Sequence, residues 1–120
     1  MKFAGWYGVV VGVLIVVQWA TFLATGAVPE LQTAPWSIGF HLAAELILAL
    51  TLAAGGLGVL RSRAWGRTVL LAGLGMAIYS EIASPGYFAQ QGNWLPVGMF
   101  AVLLVGAAAG IRMLGAKEAE

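Results

Sequence analysis

The chain has 120 residues, of which 61% are hydrophobic and only 9% charged. With a mean hydropathy of +0.91, it cannot coat a water-soluble domain, which carries roughly 25% charged residues. Cysteine is absent and the formal net charge is +1. These two facts exclude disulfides, thiolate metal sites and cysteine nucleophiles, and they point to no nucleic-acid partner. The expectation is one all-α domain over residues 1–120, a polytopic four-transmembrane-helix antiparallel bundle in a lipid bilayer.

Four apolar stretches carry that expectation: Ala4 to Ala24, Ser37 to Leu60, Thr68 to Ser84 and Leu95 to Ile111. A helix needs about 20 residues to cross the hydrocarbon core. The first two reach that length. The third and fourth borrow flanking residues and become about 64–84 and 95–114. The first span is too long for a signal-peptide core and shows no clear cleavage site, so it reads as a retained helix.

The six basic residues are Lys2, Arg61, Arg63, Arg67, Arg112 and Lys117. Four crossings put all six on one side, and the positive-inside bias makes that side cytoplasmic, with both termini, in a cell membrane. Trp6, Tyr7 and Trp65 fit the inner interface, and Trp19, Trp36, Tyr87 and Trp94 fit the outer one. Gly8/Gly12 and Gly106/Gly110 are spaced four apart, which lets helices approach closely. Packing within one bundle is the simpler use of them, and a homodimer face is the other.

Ionisable groups inside a bilayer are costly enough to mark functional sites. His41 and Glu45 lie on the second span and Glu81 on the third, with Gln18 on the first. By helical rise, His41 and Glu45 sit about 6 and 12 Å below Ser37. Glu81 lies about 20 Å above Thr68 and Gln18 about 21 Å above Ala4, so all four share one outer layer. His41 and Glu45, four apart, share a helix face. Glu81 has no partner on its own helix, so one must come from another helix or from a ligand. Tyr79 and Tyr87 complete the candidate ligand- or proton-binding set. The third helix is expected to stop at Ser84-Pro85-Gly86, leaving Gly86–Trp94 as a loop over the outer mouth.

Three functions compete for this layer. The first is an outward-facing site binding a cation, proton or small molecule; transport would require a dimer, because four helices are too few to enclose a path. The second is a redox or assembly subunit with a quinone near His41 or Glu81. A single histidine suits haem poorly, and a purely structural role is the bland alternative. The third is a metalloenzyme, since His41, Glu45 and Glu81 form a legitimate shell for a divalent metal. Against catalysis, the chain lacks a His-Glu-x-x-His pair and has no aspartate for a Ser-His-Asp set.

Four strings also carry a resemblance. They are His41-Leu-Ala-Ala-Glu45, the glycine-rich run Gly55–Arg61, Trp65-Gly66-Arg67 and Ser84-Pro-Gly-Tyr-Phe-Ala-Gln90. Together they resemble small four-helix bacterial and archaeal membrane proteins of unassigned function and, more distantly, the DoxX-like group. Ser84–Phe88 departs from the DoxX-like pattern. That resemblance would imply a quinone- or redox-associated membrane subunit.

Overall fold

The computed structural model describes residues 2–119, and all of its regular elements are helical. They are α1 (Lys2–Ala24), α2 (Glu30–Thr33), α3 (Pro35–Leu60), α4 (Gly66–Ala83), α5 (Pro85–Gln90) and α6 (Trp94–Ala119). Four apolar segments, Lys2–Ala24, Pro35–Leu60, Gly66–Gln90 and Trp94–Ala116, are long and apolar enough to cross a membrane. They alternate in direction, so the start of α1, the end of α6 and the α3–α4 turn lie at one end, called here the terminal end.

At the terminal end the helices are held by glycine. A Cβ on Gly8 would stand 2.6 Å from the Leu52 carbonyl oxygen, and one on Gly12 2.7 Å from that of Ala49. Gly55 faces the Leu70 backbone, and Gly66 faces Gly58 across the α3–α4 turn. Gly106 accepts the Tyr7 ring, and Gly110 packs on Leu74 and Ala4. The close approaches permitted by Gly8, Gly12, Gly106 and Gly110 are therefore made within this chain. Leu52, Leu70, Leu74 and Leu114, each fully enclosed, fill the space between the helices. The outside is apolar too: Trp6, Val13, Leu14, Leu46, Leu50, Val102 and Val105 are all exposed. An apolar surface of this kind is what a helix long enough to cross a membrane presents to its surroundings.

Three helix ends turn in the same way. At Gly26, Ser62 and Gly92 the backbone is left-handed, with φ of 71°, 56° and 73°. The following amide then reaches back five residues: Ala27 to the Phe22 oxygen (2.9 Å), Arg63 to Gly58 (2.8 Å) and Asn93 to Phe88 (2.9 Å). This is the Schellman arrangement that closes the orphan carbonyls of a helix end.

One expectation changes here. The segment after Ser84 is mostly helical, and the open loop shrinks to residues 91–93. Ser84 keeps helical angles (φ −68°, ψ −38°), and Pro85 takes the first turn of α5, where a missing N–H costs nothing. Its bias on the preceding residue is overridden. Phe88 of α5 stacks on Phe100 of α6, with ring centroids 6.2 Å apart.

Candidate functional site

Away from the terminal end the bundle opens into a cavity of about 760 Å³. All four long helices line it, and the connections carrying α2 and α5 add Val28, Glu30, Tyr87, Phe88 and Gln91. Its walls are largely apolar, with Trp19, Phe22, Met99, Phe100 and Leu103 among them. Its polar members are Gln18, Glu30, Ser37, His41, Glu45, Ser80, Glu81, Ser84, Tyr87 and Gln91. That volume falls within the range of sites for small organic ligands, about 300–1,000 Å³.

Glu81 is 5% exposed and Glu45 8%. The Tyr7 hydroxyl of α1 lies 2.7 Å from Glu81 Oε1 and 2.6 Å from the Leu103 carbonyl oxygen of α6. One side chain thus ties α1, α4 and α6 together at the base of the cavity. Tyr7 has one proton for two oxygens, and a carbonyl can only accept. When Tyr7 donates to Leu103, the contact with Glu81 requires the acid's own proton. When Glu81 is ionised, Tyr7 donates to the carboxylate instead. Each protonation state of Glu81 therefore has its own hydrogen-bond pattern. Its second oxygen, Oε2, is buried with no hydrogen-bond partner. A buried acceptor left unpaired costs about 1–3 kcal/mol, so a partner there has a ready thermodynamic role.

Glu45 is better supplied. Ser80 donates to its Oε1 at 2.8 Å, and Ser84 lies 3.3 Å from Ser80. His41 Nε2 stands 3.7 Å from the same oxygen, near enough for charge attraction but long for a hydrogen bond. The imidazole meets Trp19 edge to face, with centroids 5.6 Å apart. A second aromatic, Phe22, adjoins Trp19 at 5.8 Å.

Gln18, His41, Glu45, Glu81 and Tyr87 thus border one cavity, whereas Tyr79 is 77% exposed and does not border it. His41, Glu45 and Glu81 are not drawn together for a metal: among the described residues no group of three such side chains can hold one ion. Beyond the serines and Gln91, two residues outside the sequence-based set matter to the site. Glu30 borders the cavity from the α1–α3 connection. Tyr7, expected as an interfacial anchor, is instead the partner of Glu81. Its signal was helical phase: Tyr7, Val11, Ile15 and Gln18 fall on one face of α1 by the three- and four-residue steps of a helix.

No curated protein and no solved structure matches the chain, so the DoxX-like resemblance gains no support from relatives. A family profile does match, over residues 1–119, and its description is "Domain of unknown function (DUF8058)". Four apolar helices and a shared polar cavity are accordingly what this member brings to the family's description. The chain belongs to the DUF8058 family.

Proposed function

We propose that the chain is a multi-pass protein of the cell membrane whose cavity faces outward and binds a cation, a proton or a small molecule. The orientation rests on the basic residues. Lys2, Arg61, Arg63 and Arg112 belong to the terminal end, as does Arg67, whose Nε donates to the Leu114 carbonyl at 3.3 Å. The positive-inside bias makes that end cytoplasmic. The cavity then opens away from the cytoplasm.

One observation carries the binding reading. Glu81 is buried at the base of the cavity with Oε1 held by Tyr7 and Oε2 unpartnered. A carboxyl group needed only for packing would have both oxygens satisfied or be replaced by an apolar side chain. Native mass spectrometry of the gently purified chain, beside Glu81→Gln, tests the reading. A bound species is expected in the parent and a reduced one in the variant. Glutamine keeps the size and the hydrogen bonding while removing the charge. Equal spectra, or no bound species in either, would make the carboxyl incidental.

A further inference from the structure

The chemistry of the cavity narrows what it binds; the step rests on the binding reading above. Three of its bordering side chains are carboxylic acids, Glu30, Glu45 and Glu81, and His41 is their one basic companion. Among the described residues no lysine or arginine borders it. An organic anion would meet three acids with only His41, already 3.7 Å from Glu45, to pair against. A small hydrated metal ion would find no three-ligand cluster among the described residues and would face walls that are mostly hydrocarbon. A neutral lipid-like molecule would leave Glu81 Oε2 as it is, buried and unpartnered.

We infer that the ligand is a hydrophobic organic amine, held by its ammonium group at Glu81 and by its apolar body among Trp19, Phe22 and Phe100. An ammonium carries the N–H donors that Oε2 lacks, and a charge-assisted bond is about twice as strong as a neutral one. Glu81 borders the cavity and the terminal torsion of a glutamate is broad, so a partial rotation of the carboxyl, which moves both oxygens together, would present Oε2 to the ligand. Aromatic faces also attract a cation, and more strongly where water is excluded. The proton balance closes by either route. An ammonium can meet the carboxylate directly, or a neutral amine can take the proton of the acid; both end as the same ion pair. In the second route Tyr7 then donates to Glu81 in place of Leu103. Glu45, already bonded to Ser80, supplies negative potential more than a direct contact.

Three probes sharing one carbon skeleton test the assignment: 4-phenylbutylamine, 4-phenylbutanol and 4-phenylbutyrate. Each is measured by equilibrium dialysis against the full chain in nanodiscs of zwitterionic lipid, with empty nanodiscs subtracted. The amine should bind at least about tenfold tighter than the alcohol, and the acid weakest. Glu81→Gln should weaken the amine about tenfold and leave the alcohol nearly unchanged. If that variant does not fold, Glu45→Gln serves instead: it removes negative potential from the same cavity and should weaken the amine while leaving the alcohol nearly unchanged. Alcohol binding equal to the amine would overturn the amine assignment, while a bound species lost in Glu81→Gln would keep the broader reading alive. No binding of any probe would overturn it as well, and an empty native spectrum would then remove both.

Discussion

The two ends of this bundle are built from opposite materials. At the terminal end backbone meets backbone: Gly8 on Leu52, Gly55 on Leu70 and Gly66 on Gly58, with fully enclosed leucines between them. At the other end the same helices carry larger and more polar residues and surround about 760 Å³ of space. Small residues lower the helix separation and remove any room for a ligand. Large aromatic residues such as Trp19, Phe22, Phe88 and Phe100 border the gap that separation leaves. Tyr7 marks the seam, because Gly106 makes room for its ring while its hydroxyl reaches Glu81.

The sharpest way to break this contrast is to enlarge a residue at the closed end. Gly55→Leu drives a side chain into the Leu70 backbone, which cannot yield as a flexible side chain can. We expect the helix pair to separate and no folded monomer to be recovered by size-exclusion chromatography in mild detergent. Normal recovery would show that the glycine contacts are not what closes the bundle. A gentler form compares two leucines. Leu52 is 0% exposed, whereas Leu14 borders the cavity and is 54% exposed. Leu52→Ala should cost about 2–5 kcal/mol, while Leu14→Ala should cost less than about 1 kcal/mol because its methyl groups have fewer protein neighbours. Thermal unfolding of both in one detergent measures the difference, and similar losses would erase the distinction between the ends.

The seam is tested next. Tyr7→Phe keeps the ring against Gly106 and removes one hydroxyl. Leu103's carbonyl remains in its helix, but Glu81 Oε1 would lose the Tyr7 hydroxyl and join Oε2 as an unpartnered oxygen. The expected loss is about 1–3 kcal/mol. In the double variant Tyr7→Phe, Glu81→Leu no acid remains to be stranded, and much of that loss should return. Strictly additive effects would show that the two side chains do not act as a pair.

The architecture was far more legible than the cavity. Hydropathy and helix length locate four spans because a bilayer permits little else than long apolar helices. The matched depths of Gln18, His41, Glu45 and Glu81 follow from rise per residue, and all four do border one cavity. Depth alone says nothing of rotation, and there the reading failed. Tyr79 is at a suitable depth but points outward, and Tyr7, about three turns below Gln18 on α1, reaches up to Glu81. A long side chain can cross levels that Cα positions keep apart. Glu30 was hidden for a different reason: it lies in a connection whose path no periodicity describes. Pro85 misled in the ordinary way, since a proline suits the first turn of a new helix as well as the end of an old one.

The smallest expected effect concerns the turns at the two ends. Gly26 and Gly92, at the cavity end, adopt positive φ with a residue that has no Cβ to strain. Ser62, at the terminal end, makes the same turn at φ 56° with a side chain present. Its Cβ crowds the backbone there, costing about 1 kcal/mol, and the exposed side chain has little packing to lose. Glycine would relieve that strain but would lose more backbone freedom on folding, which offsets part of the gain. Ser62→Gly should therefore stabilise the chain by about 0.5 kcal/mol, and Gly26→Ala should destabilise it by about 1 kcal/mol. No atom outside Gly26's own neighbourhood lies within 4 Å of an added Cβ, so the second change reports backbone strain alone. Unfolding midpoints of the two variants should move in opposite directions from the parent. A lower midpoint for Ser62→Gly would mean that the serine is held in that turn by more than the geometry of the helix end.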